Sequence, residues 1–218
     1  MSLKEQLDAR KAEFLQKRPP EVVTLMQRNV DALGQSGVAK QAAQIGEQAP
    51  DFELPDPLGR PVRLYERLSD GPVVLTFYRG GWCPYCNIQL RAYQQALPEL
   101  RKRGASLIAV SPETPDHSLK TVEKNALTFD VLSDSGNRVA QSYRIVHRLS
   151  PELRELYTKF GHPLPETNGD ESWTLPIPAT FVIDTRRRIT LAFVNPEYRN
   201  RLEPDAIFAV LSEREAAA

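Results

Sequence analysis

Apolar positions along this chain fall into two textures. Over the first 45 residues they recur at helical intervals. Leu3, Leu7, Phe14 and Leu15 share one face of a first helix, and the Pro19–Pro20 pair interrupts it. Val22, Val23, Leu25, Met26, Val30 and Leu33 repeat the pattern in a second helix, which Gly34 and Gly37 end. Two amphipathic helices are expected, packed either on the main domain of their own chain or on a second copy. A homodimer is therefore one of two open readings.

From Gly46 the apolar runs become short and are punctuated by Pro and Gly. Residues 49–64 read as a hairpin or a pair of edge strands, because their prolines exclude a central strand. Val73 to Tyr78 is a continuous β-branched and aromatic run, suited to a strand buried on both faces. Asn87 to Arg103 has helical periodicity, closes at Gly104 and is expected to kink at Pro98. Ser106–Ser111 and Phe129–Leu132 read as further strands, with a helix over about 116–126 between them. Helices are expected over 137–149 and 151–160, then a polar, Pro-rich connection over 161–176. Ala179–Asp184 and Ile189–Val194 predict an antiparallel hairpin around three arginines, before a closing helix near 203–213. This alternation predicts an α/β fold, a central mixed sheet with helices on both faces. The expected division is an N-terminal helical extension over 1–45 and the α/β domain over 46–215.

Composition narrows the function. Lys plus Arg is 28 and Asp plus Glu is 28, so no basic surplus points to nucleic acid. The Arg101–Arg103 and Arg186–Arg188 runs read as solvated turns. No apolar stretch is long enough to span a membrane, and the N-terminus lacks the apolar segment of a secretory signal, which leaves the cytoplasm as the expected compartment.

Two cysteines are no disulfide framework, but they lie three positions apart as Cys83-Pro84-Tyr85-Cys86, after a buried strand and at the start of a helix. The first helical turn offers unpartnered N–H groups and partial positive charge. A free thiol is only about 3% ionised at pH 7, and helix-end stabilisation of roughly 1–2 kcal/mol lowers its pKa by about one unit. The spacing also lets the two sulfurs join. A redox dithiol is the leading reading, ahead of inert core cysteines. A metal site is weaker, because His117, His147 and His162 are scattered. Pro84 and Tyr85 suggest an exposed, turn-like entrance. No phosphate-binding glycine pattern is present, so no metal, flavin or nucleotide cofactor is implied.

Phe77-Tyr78-Arg79-Gly80-Gly81-Trp82-Cys83-Pro84-Tyr85-Cys86, with Gly46–Phe52 upstream and Ile177-Pro178-Ala179-Thr180-Phe181-Val182-Ile183-Asp184 downstream, resembles the thioredoxin-fold superfamily. The likeness is greatest to its alkyl hydroperoxide reductase/thiol-specific antioxidant (AhpC/TSA) group, the peroxiredoxin-like proteins, and covers roughly 46–213. It implies a thioredoxin-like fold, and a cis Pro178 packed against the redox pair. It also implies a hydroperoxide substrate reduced through Cys83 and Cys86, with thioredoxin, glutaredoxin or glutathione as reductant. The peroxiredoxin pattern P-x-x-x-T-x-x-C, laid without gaps, puts Arg79 at its proline, Cys83 at its threonine and Cys86 at its peroxide-reactive cysteine; its strand arginine falls on Pro178. The thioredoxin template makes Cys83 the attacker instead. Trp82, Tyr85, Arg79 and Pro178 are the expected substrate-binding residues, with Arg79 a source of the missing positive charge and Tyr198 a neighbour of the pocket. A disulfide reductase without peroxidase activity, and a non-catalytic interaction module, are the alternatives.

Overall fold

The computed structural model describes residues 1–215, with side chains through residue 212. Helix α1 (Leu3–Lys17) starts in a capping box between Ser2 and Glu5, and α2 (Pro20–Gln35) has proline at its first position, where no N–H is missed. A short α3 (Val38–Gln41) follows, then the hairpin β1 (Glu53–Pro55) and β2 (Pro61–Arg63), and α4 (Leu64–Asp70). The central unit is β3 (Val73–Phe77), α5 (Pro84–Lys102), β4 (Ser106–Ser111), α6 (Pro115–Asn125) and β5 (Asp130–Ser133). Next come α7 (Arg138–Ser142), β6 (Val146–Arg148), α8 (Pro151–Lys159), α9 (Leu164–Asn168) and β7 (Thr174–Pro176). The hairpin β8 (Ala179–Ile183) and β9 (Ile189–Val194) precedes α10 (Pro204–Glu215).

Five strands form the main sheet in the order β5-β4-β3-β8-β9. β3, β4 and β5 run parallel, whereas β8 pairs antiparallel with β3 and β9 with β8. β3 is wholly buried, which its continuous apolar sequence requires. Its side chains alternate between two cores. Val73, Leu75 and Phe77 join Phe181 and Tyr143 on one face. Val74 and Tyr78 join Cys83, Cys86, Leu90 and Tyr93 on the other. Helix α5 therefore carries both cysteines into a core layer.

The N-terminal helices cap their own domain. Leu3 and Leu7 enter the core that holds the cysteines, and Phe14 and Met26 pack with α8. Leu15 does not follow them: it is 48% exposed, one helical step off the buried stripe.

Three other expectations are corrected. The helix expected over 137–149 stops at Ser142, and Arg144 takes a positive φ of 59° before the chain becomes β6. The expected connection over 161–176 contains α9 and β7, and β7 pairs with β6 from Val146↔Pro176 to Arg148↔Thr174. Both short strands exist through a pairing across some thirty residues, which local periodicity cannot register. The peptide bond before Pro178 is trans, as no cis bond occurs among the described residues. The Ile177 N–H donates to Ile145 O at 2.7 Å, so the chain runs extended from β7 into β8 and never makes the tight turn a cis bond serves. Helix α5 runs through Pro98 without ending.

Candidate active site

The site grows from the loop joining β3 to α5, residues 78–83. Tyr78 N still bonds to Val110 O in sheet fashion, and Cys83 N donates to Gly80 O, closing a turn. Two glycines are required here by crowding. A Cβ on Gly80, whose φ is +144°, would lie 2.3 Å from Trp82 Nε1, and one on Gly81 would lie 2.0 Å from Thr121 Oγ1. The Gly81 peptide is gripped at both ends: its N–H donates to Glu113 Oε2 at 2.9 Å, and its O accepts from Asn87 Nδ2 at 2.8 Å. Asn87 is in turn bonded by Asn125 Nδ2 at 2.9 Å.

Cys83 is the N-cap of α5, Pro84 its first residue, and Cys86 lies in the first turn. The entrance is not exposed as expected: Cys83, Tyr85 and Cys86 are all buried. Each sulfur meets an arginine. Arg79 Nη1 is 3.9 Å from Cys83 Sγ, and Arg201 Nη2 is 3.4 Å from Cys86 Sγ. Burial alone pushes the Cys83 thiol up, but a hydrogen bond from Cys86 and the charges of Arg79 and Arg201 outweigh it and bring Cys83 down to about 5. Cys86 moves the opposite way, raised by burial and by the bonded, negatively charged Cys83. The two opposite shifts favour the thiolate at Cys83 and the thiol at Cys86.

Arg79 is no surface residue. It is buried, lies 4.3 Å from the Tyr198 ring centroid and 4.9 Å from that of Trp82, and donates through Nη2 to Tyr157 Oη. Burial works against its charge, yet Tyr157 and Cys83 hold its pKa above the ordinary arginine value. Trp82 packs edge-on to Tyr157, and Tyr85 edge-on to Tyr198. A cavity of about 240 Å³ reaches Cys83 between Arg79, Trp82, Tyr85 and Tyr198, so these expected residues converge. Pro178 does not join them: it borders a neighbouring small cavity with His147 on the other side of Arg79. Cys86 does not line the larger cavity either; it sits behind Cys83.

Two site residues escaped the sequence reading. Arg201 reaches Cys86 from the loop after β9, 115 positions away. Its only local signal was a run of arginine and aromatic residues, Tyr198-Arg199-Asn200-Arg201. Glu113, two residues past β4, is buried, and burial raises it to about 7. Thr76 bonds to Ala179 O and Thr180 and so ties β3 to β8. Asp184 accepts from Arg188 N at 2.7 Å within the hairpin turn. His162 stacks near Trp82, and burial, aided by Arg79, lowers His147 to about 4. No group of three or more His, Cys, Asp or Glu among the described residues is arranged to hold a metal ion. Among the described residues no helix is long and apolar enough to cross a membrane.

Comparison with known proteins agrees with this architecture. The AhpC/TSA family profile matches residues 45–192. A provisionally named peroxiredoxin of Mycobacterium tuberculosis is 30% identical over 168 residues, covering 77% of this chain and 96% of its own. Chloroplastic peroxiredoxin Q of Sedum lineare is 28% identical over 160 residues, 73% of this chain and 71% of its own. Among solved structures, peroxidoxin BcpB of Mycobacterium tuberculosis superposes with a TM-score of 0.62 at 26% identity, over 80% of this chain and 98% of that one. With most of its length matched in sequence and in shape, the chain belongs to the AhpC/TSA family and has a thioredoxin-type fold.

Proposed function

We propose that this protein is a thiol-dependent peroxidase that reduces hydroperoxides at Cys83, with Cys86 as the resolving thiol. The observation that carries the reading is Cys83 at the wall of a cavity with the Arg79 guanidinium beside its sulfur, a setting in which the thiol is brought down to about 5. The Cys83 sulfur attacks one peroxide oxygen, the O–O bond breaks, and the departing alkoxide takes a proton to leave as an alcohol, or as water from hydrogen peroxide. Arg79 places its charge where that oxyanion develops. Cys83 is now a sulfenic acid. The Cys86 sulfur displaces its oxygen, the S–S bond forms, and the thiol proton departs with that oxygen as water. Two external thiols then reduce the disulfide and are themselves oxidised to one.

Residue 83 is thus the attacker, as the thioredoxin template has it, rather than residue 86 as the gap-free peroxiredoxin pattern has it. The low thiol pKa of Cys83 and its place on the cavity wall favour this order. Trp82 and Tyr85 serve as pocket walls. The extension over 1–45 and the catalytic domain over 46–215 are part of the same reading, as are a cytoplasmic location and thioredoxin, glutaredoxin or glutathione as electron donor. Sulfenate trapping with a dimedone-type probe tests the order of attack. After one equivalent of hydrogen peroxide, Cys86→Ser should yield the adduct on residue 83, and Cys83→Ser should yield none. An adduct on Cys86 in the Cys83→Ser protein, formed at the wild-type rate, would reverse the assignment. If neither variant nor wild type consumes peroxide faster than free cysteine, the peroxidase reading fails in favour of a disulfide reductase.

A further inference from the structure

The cavity over Cys83 is larger and more positive than hydrogen peroxide requires. At about 240 Å³ it exceeds several-fold the roughly 30 Å³ share of a water-sized molecule. Its wall carries three guanidiniums, Arg10, Arg18 and Arg79, and no Asp or Glu among the described residues. Arg79 is committed to the Cys83 thiolate and Tyr157. Arg10 and Arg18 come from α1 and its C-cap, and neither touches a sulfur. Arg10 is steadied by Glu13 at 2.6 Å, and Arg18 lies 4.4 Å over the Phe160 ring with its side chain open to solvent. Between this cationic rim and the sulfur the surface is aromatic and apolar, with Phe14, Met26, Phe160 and Tyr198 contributing.

A rim of positive charge, an apolar waist and a nucleophile at the far end match one shape of ligand. We propose that the cavity binds hydroperoxides whose aromatic or alkyl body ends in a carboxylate, with Arg18 and Arg10 holding the carboxylate and the apolar walls presenting the O–O bond to Cys83. This rests on the peroxidase reading and adds a specificity element to it. Arg10, Phe14, Arg18 and Met26 all precede residue 45, where the family match begins, so the selectivity is built by the extension rather than by the shared scaffold. The redox balance is as given above; the carboxylate takes no part in it.

Stopped-flow tryptophan fluorescence of the reduced full-length protein gives the second-order rate constant for each peroxide in a single turnover, with no reductant present. The probes are hydrogen peroxide, cumene hydroperoxide and the para-carboxylate of cumene hydroperoxide, the last two matched in body and differing in charge. The carboxylate should react about tenfold faster than the neutral compound at low ionic strength, where arginine charges are least screened. In Arg18→Gln and in Arg10→Gln that ratio should fall toward one. Lys102→Gln, which removes one positive charge at the far end of α5, should keep it. A ratio near one in the wild type, or a wild-type ratio retained in both arginine variants, overturns the proposal. Should hydrogen peroxide react fast while the two organic peroxides match each other, the carboxylate site alone is refuted. Should none of the three react, the peroxidase reading itself has failed.

Discussion

Two hollows of nearly equal size lie on this molecule, and they differ in charge. The cavity over Cys83 is about 240 Å³, and a groove between α5, β4 and β5 is about 250 Å³. Both contain arginines. In the groove, Arg67 and Arg101 are matched by Asp70 and Asp130, and Arg67 bonds Asp130 at 2.9 Å. Over Cys83 the wall itself carries no carboxylate: Arg10 is paired with Glu13 outside it, and Arg79 has the Cys83 sulfur as the group it faces. Volume is therefore a poor marker of a site. Uncancelled charge beside a nucleophile is the better one, because a desolvated charge persists in a fold only where something uses it.

The largest test of this contrast is Arg79→Leu. Cys83 then keeps the Cys86 hydrogen bond and Arg201 but loses the Arg79 charge, so its thiol rises toward the ordinary range, where about 3% is ionised at pH 7, and peroxide consumption should slow by up to about thirtyfold. A change under threefold would show that Arg79 does not set the reactivity. The wild-type pH profile supplies the sign: a thiol lowered to about 5 loses its reactive form only below that value, so the rate should be level from pH 7 to 9 and halve near pH 5. A midpoint near 8.5 would place the thiolate outside the arginine's influence. Glu113→Gln should have a smaller effect. The amide can still accept from Gly81 N, so the loop stays held, but the charge beside Cys86 is gone. Disulfide closure, followed by thiol loss, should shift by about threefold or less above pH 7 and lose its inflection near pH 7. Arg67→Gln in the groove is the smallest: peroxide kinetics unchanged, and unfolding free energy reduced by under ~1 kcal/mol, as for a partly exposed pair.

The uneven legibility of the sequence follows from how far each residue acts. Val73–Phe77 and the helix after Cys83 declared themselves because burial and periodicity are local properties. The cysteine spacing declared the chemistry in the same way. Strands β6 and β7 did not, because three-residue strands exist only by pairing with each other. Arg201 and Glu113 stayed hidden because their importance lies in what the fold brings beside them, the Cys86 sulfur and the Gly81 amide. The helix-end argument found the right thiol environment but underestimated it: two buried arginines and the neighbouring S–H lower Cys83 more than the helix terminus was expected to. Arg79 was visible as a charge, but only the stacked rings of Trp82 and Tyr198 explain how it is kept dry.

Cys83 and Cys86 share the first turn of a single helix, and that has a consequence for turnover. In the proposed cycle, linking them would encircle just four residues, so oxidation would ask no distant segment to travel before the catalyst resets. A sulfenate formed in that cycle next to its partner would also be short-lived, leaving a second oxidant molecule little opportunity to burn the sulfur beyond repair.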